Sequence, residues 1–143
     1  MAGKITFTNH LTTPFKFERM LMKSFLPLIF LEEEVDFTTV SYIFCSDDYL
    51  LGLNKQFLDH DTFTDILTFT LSESRQPIIS EIYISVDRVK ENAETHRVSF
   101  QEELYRVMIH GVLHLCGYSD HTKELKEVMT NREDYYLVKV GST

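Results

Sequence analysis

Cysteine is nearly absent from this chain: Cys45 and Cys116 are the two among 143 residues, and they lie far apart. That excludes a disulfide framework, so any stability has to come from burial. Long apolar runs are missing as well. The longest, Phe25 to Leu31, is interrupted by Pro27 and falls well short of the roughly 20 residues that cross a bilayer. With no secretory leader in the opening residues, the expected setting is the cytoplasm, with no membrane span. Positive charge is scarce too: 14 Lys and Arg stand against 22 Asp and Glu, a formal net charge of −8. Non-specific wrapping of nucleic acid runs on phosphate neutralisation and counterion release, and this balance argues against it. An RNA substrate would need local help from a metal ion, a basic cluster or a partner.

What the chain has is an ordinary globular composition, 43% apolar and 25% charged, without repeats or low-complexity tracts. A domain of this length buries roughly 70% of its unfolded surface, so one domain over residues 1–143 is expected. Ile5 and Phe7 alternate with polar neighbours as in a half-buried strand, and Asn9 to Pro14 reads as a turn. Phe17, Met20, Leu21, Ser24 and Leu28 follow at helical spacing, with Pro27 expected to kink or end that helix. Thr39 to Cys45 is a second strand, with Val40, Tyr42 and Phe44 on one face. Ser46 offers a cap for a short helix through Leu50 to Phe57, and His60 to Thr64 reads as a loop. Asp65 to Thr70 and Glu81 to Ser85 are two further strands, joined by a polar segment from Ser72 to Pro77.

A helix follows from Val86 to about His96, and then Ser99 with Glu102 forms a capping-box pattern. The helix it opens, through Leu104, Val107, Met108, His110, Val112, His114 and Leu115, is apolar on too many sides to lie on the surface. Gly117 ends it, and Leu125, Val128, Met129, Arg132 and Tyr136 indicate a last amphipathic helix.

His110 and His114 carry the chemistry. Four residues apart on a helix, their side chains lie about 40° apart around the axis and roughly 6 Å along it, so both imidazoles can reach one ion. Catalytic zinc takes three protein ligands plus water. The glycine turn returns Tyr118, Ser119, Asp120 and His121 toward the pair, so both Asp120 and His121 are candidates for the third ligand. The competing reading is a hydrogen-bonded pair of core histidines. A zinc peptidase of the HExxH type carries its glutamate base directly after the first histidine, and here that position is Gly111. Without that proton acceptor, peptide hydrolysis is the weaker assignment, while zinc can still act on a phosphoryl group as a Lewis acid.

The run His110-Gly-Val-Leu-His114-Leu-Cys-Gly117-Tyr118-Ser-Asp120-His121 resembles the HGxLHLxGYDH signature of the YbeY family. Leu53-Asn54 through Phe57-Leu58 to Thr64-Asp65-Ile66-Leu67-Thr-Phe69 is similar to that family's LNxxYR and TDVLSF segment, and Ser80 to Ser85 to its GDIxIS strand. The resemblance implies an α+β fold: a small mixed four-stranded sheet packed with helices and a zinc-bearing helix of metalloprotease type. It further implies one Zn2+ per chain in a cleft and endoribonuclease activity on single-stranded RNA. The expected role is maturation of ribosomal RNA, at the 3′ end of 16S rRNA, with ribosome quality control. Partners would be the small ribosomal subunit and ribosome-associated proteins, with no DNA.

Two departures from that family pattern bear on the site. The family has histidine six residues after the second histidine, whereas this chain has Asp120 there and His121 one further. Counting without a gap selects His110, His114 and Asp120 as the ligand set; a one-residue insertion after Tyr118 would select His121 instead. Leu58 stands where the family has an arginine suited to phosphate. That change and the acidic charge motivate a rival reading, a ribosome-biogenesis binding factor whose zinc is structural. Cys116 points away from the histidine face and reads as a buried structural thiol. Thr64 and Asp65 could line the cleft or orient a histidine. Lys55, Arg88, Arg97 and Arg106 are ordinary surface cations on sequence grounds.

Overall fold

The computed structural model describes residues 3–141. Four strands, β1 (Lys4–Asn9), β2 (Phe37–Cys45), β3 (Ile66–Thr70) and β4 (Ile78–Ser85), form one sheet in the order β1-β2-β4-β3. β1 and β2 are parallel, as are β2 and β4, while β3 runs antiparallel along β4. Five helices accompany the sheet: α1 (Arg19–Glu32), α2 (Asp47–Leu58), α3 (Val86–His96), α4 (Phe100–Leu115) and α5 (Lys123–Gly141). This is the expected α+β architecture with a mixed four-stranded sheet.

Parallel pairs demand coverage of both faces, and β2 shows it: Val40, Tyr42 and Phe44 are buried in the main core with α4, while Cys45 on the other face is buried with Leu50 of α2 and Leu67 of β3. Helix α4 lies over this sheet, with Leu104, Met108, Ile109, Val112 and Leu113 in the core. Tyr42 fixes the contact by donating its hydroxyl to the Met108 carbonyl oxygen at 2.7 Å. Gly111 sets the closeness of approach. A Cβ there would lie 3.0 Å from Ile82 Cδ1 and 3.1 Å from Ile66 Cδ1, so this face of α4 is turned onto the sheet.

Helix α1 differs from expectation. It continues through Pro27 to Glu32, and its buried face is Met22, Phe25, Leu26, Ile29 and Phe30. Met20 and Leu28, expected inward, are 77% and 53% exposed. A proline inside a helix costs about 3 kcal/mol. Burying five apolar side chains contributes on the order of 10 kcal/mol gross, so packing wins. Phe17 lies ahead of the helix and packs edge-on against Phe7. β4 begins at Ile78, three residues earlier than expected, and β3 at Ile66 rather than Asp65.

The caps expected at Ser46 and Ser99 form, and Ser85 supplies one the sequence reading did not name. Ser46, Ser85 and Ser99 each accept a backbone N–H three residues on, from Tyr49, Arg88 and Glu102. α4 closes on Gly117, whose φ is +105°. The Gly117 N–H donates to the His114 carbonyl at 3.1 Å and the Tyr118 N–H to that of Leu113 at 3.0 Å. This paired closure is the Schellman arrangement, and it folds the chain back over the end of α4. Among the described residues no helix is long and apolar enough to cross a membrane.

Candidate metal centre

His110 lies on the flank of α4 that faces neither the sheet nor open solvent. Its Nδ1 meets Glu133 Oε2 of α5 at 2.6 Å, and its Nε2 lies 3.9 Å from Asp120 Oδ2. Burial pulls the imidazolium's pKa down, but the hydrogen bond and charge of Glu133 outweigh it and hold the ring above its usual value. Glu133 is itself buried and receives Arg106 Nη1 at 3.0 Å, while Arg106 Nη2 reaches Asp134 at 2.6 Å.

His110, Glu133 and Arg106 line a cleft of about 460 Å³ together with His114, Asp120 and Asp65. Leu58, Ile66, Leu67 and Val107 supply apolar wall. Burial pushes the Asp65 carboxyl above its usual value, against the opposing pull of His110. His114 is exposed and also borders the loop between β3 and β4, the polar segment singled out in the sequence.

Asp120 sits on the short return between the Gly117 turn and α5, whose first turn is capped by Thr122 Oγ1 accepting from the Leu125 N–H. That return is tied down at Tyr118, whose hydroxyl donates to Glu33 Oε1 at 2.8 Å. Glu33 Oε2 also receives Arg132 Nε at 2.9 Å and the Tyr136 hydroxyl. His121 lies on the same return; its backbone N–H donates to Ser119 Oγ at 3.2 Å.

In donor type the residues suit a metal ion such as zinc: two imidazoles and a carboxylate border one cleft, and His110 Nδ1 is engaged by Glu133 while Nε2 faces Asp120. Two zinc ligands in a tetrahedron lie roughly 3.4 Å apart, so the 3.9 Å separation closes with a small shift of an exposed carboxylate. As they stand, no three His, Cys, Asp or Glu side chains among the described residues are grouped to hold a metal ion.

Other expectations resolve individually. Thr64 and Asp65 line the cleft, but the group that accepts from His110 is Glu133. Sequence reasoning missed that residue. The spacing of Met129, Glu133, Tyr136 and Val140, the buried stripe of α5, could have marked Glu133 as a carboxylate in need of a partner, though not which partner. Leu125 and Val128, read as part of that stripe, are largely exposed. Cys116 is half-buried rather than buried, and burial pushes its thiol up to about 12. Lys55, Arg88 and Arg106 each face a carboxylate: Asp61, Asp47 with Glu91, and Glu133 with Asp134.

Fold and site together define a small α+β protein whose central helix presents a histidine pair to a cleft lined with carboxylates. Known proteins make the class specific. Residues 7–141 match the family model described as Endoribonuclease YbeY, and the chain belongs to that family. A relative in Cytophaga hutchinsonii named Endoribonuclease YbeY is 46% identical over 120 residues, 84% of each chain. Another of that name, from Flavobacterium psychrophilum, is 48% identical over 109 residues, covering 76% of this chain and 77% of the relative. A solution structure of a Thermotoga maritima protein superposes with a TM-score of 0.67 at 32% identity, covering 95% of this chain and 88% of the other.

Proposed function

We propose that the chain is a zinc-dependent endoribonuclease of single-stranded ribosomal RNA, with His110, His114 and Asp120 as its metal ligands. One observation carries the reading: the three side chains line one cleft, His110 Nε2 turned toward Asp120, in a chain whose curated relatives are named endoribonucleases. Zinc, when bound, supplies Lewis acidity toward a phosphoryl group. His110 offers Nε2, because Nδ1 is taken by Glu133. The Asp120 carboxylate lowers the net charge of the centre to near +1, against +2 for three neutral imidazoles, which makes it a milder electrophile. Leu58, Ile66 and Leu67 supply an apolar wall beside these donors. Gly111 faces the sheet and brings no carboxylate to the cleft, which weighs against peptide hydrolysis.

In this reading the substrate is the 3′ end of 16S ribosomal RNA, met in the cytoplasm on the small ribosomal subunit, with ribosome-associated proteins as partners and ribosome quality control as the wider role. The net charge of −8 favours a substrate delivered by such a partner over one captured by non-specific attraction. The rival, a biogenesis factor with a structural zinc, draws on Leu58 in place of the family's arginine.

Elemental analysis of the purified protein with His110→Ala, Asp120→Ala and His121→Ala tests the site. One zinc per chain is expected, lost in the first two variants and kept in the third. Zinc kept in Asp120→Ala but lost in His121→Ala moves the third ligand to His121, and no uptake of added zinc by the unmutated protein overturns the metal reading. Cleavage assays on unpaired RNA then separate the rivals: His114→Ala, folded and still ribosome-associated, should lose RNA processing, and retained processing supports the structural role. A 2′,3′-cyclic phosphate product identifies the neighbouring 2′-hydroxyl as nucleophile, and cleavage of a strand with 2′-deoxy positions throughout identifies water.

A further inference from the structure

Glu133 is a buried carboxylate on an otherwise apolar stripe of α5. A charge in that position is costly unless it is fully partnered. Both oxygens are engaged: Oε1 accepts from Arg106 Nη1 at 3.0 Å, and Oε2 meets His110 Nδ1 at 2.6 Å. Arg106 is in turn held by Asp134 at 2.6 Å. The chain Asp134–Arg106–Glu133–His110 therefore runs from the exposed side of α5, across α4, and ends at the imidazole that faces Asp120. Packing of α4 on α5 alone does not call for it, because an apolar residue at 133 would continue the stripe of Met129, Tyr136 and Val140.

A neutral imidazole carries one N–H, and the partner of one ring nitrogen decides which nitrogen keeps its lone pair. An ionised carboxylate can only accept. With Glu133 fixed by Arg106, the His110 proton stays on Nδ1, and the Nε2 lone pair is directed toward the Asp120 side of the cleft.

We infer that Glu133 is the positioning residue of the metal centre, setting the tautomer and ring plane of His110, with Arg106 fixing Glu133. This rests on the proposed metal site. Its physical content, the tautomer, is a property of the metal-free protein and is measurable without any metal.

The test has two readouts on the full chain, without and with zinc. Long-range 1H–15N correlation spectra of metal-free protein, taken where the rings are neutral, report the His110 tautomer directly. The unmutated protein should show Nδ1–H; Glu133→Ala should shift the ring toward the Nε2–H form that imidazole prefers in water. Competition with a chromogenic chelator gives zinc affinity, expected to fall by ~10–100-fold in Glu133→Ala. Glu133→Gln keeps the shape but has one acceptor oxygen for two donors, Arg106 Nη1 and His110 Nδ1; with that oxygen held by the charged Arg106 its NH2 faces the ring, so a shift toward Nε2–H and a loss of zinc affinity are expected there too. It also guards against a fold lost in the alanine variant. An Nε2–H ring in the unmutated protein, or an unchanged tautomer in a folded Glu133→Ala, overturns the inference. So does zinc affinity within twofold of the unmutated value in that variant. If the unmutated protein takes up no zinc, the metal site fails separately, while the tautomer still confirms or overturns the positioning of His110 by Glu133.

Discussion

Gly111 occupies the position where a zinc peptidase of the HExxH type keeps its general base, and its surroundings leave a carboxylate nowhere to go. Ile82 and Ile66 already stand about 3 Å from where its Cβ would be. Gly111→Glu should therefore destabilise the fold by about 3 kcal/mol or more, combining overpacking with a buried charge. The midpoint of urea unfolding measures this, and no peptidase activity should appear. Leu58 invites the opposite experiment. It lines the cleft and is 44% exposed, so Leu58→Arg restores the family's cation without disturbing the core. Its expected effect is several-fold tighter binding of unpaired RNA at low salt, with the salt slope steepened by about one unit. A slope unchanged from the unmutated protein would mean that position 58 does not meet phosphate.

Among the elements, those marked by chemistry at a fixed position were legible in the sequence. The caps at Ser46 and Ser99, the glycine closure of α4 and the alternation in β2 each depend on local geometry that a few residue types satisfy. Ser99→Ala should cost about 1 kcal/mol of stability, read from the thermal midpoint, because it unpairs the Glu102 N–H at the start of the helix that carries both histidines. The face of α1 was not legible. Its residues are apolar on most sides, so periodicity allowed two stripes, and only the sheet and α4 decide that Phe25, Leu26 and Ile29 turn inward. The histidine pair was readable from a spacing of four. Its partner Glu133 was not, because 23 residues separate it from His110, and only the packing of α5 on α4 brings them together.

Across the whole molecule, carboxylates held by cations tie α1 to α5. The Lys139 hydrogen bond, with help from Tyr135 and Tyr136, lowers Glu32 to about 2. Burial pushes Glu33 up, but donors on Tyr136, Tyr118 and Arg132 outweigh it and hold the carboxyl below its usual range. Folded-state values below the unfolded ones mean that this stabilisation is complete above about pH 4.5 and drains away as pH falls toward 2. Urea midpoints measured from pH 6 to pH 2.5 should decline over that window. The decline should be shallower in Glu32→Gln, and added salt should reduce the difference because Glu32 and Lys139 are partly solvent-exposed.

The Glu33 hub holds more than two helices together. Through Tyr118 it also grips the return that carries Asp120, so the cleft and the far end of α1 share one mechanical joint. Coupling of this kind is reciprocal. A ligand that draws on Asp120 is then expected to firm the junction of α1 with α5, and slower amide exchange at the last turn of α1 on adding it would show that coupling, while unchanged exchange would show none.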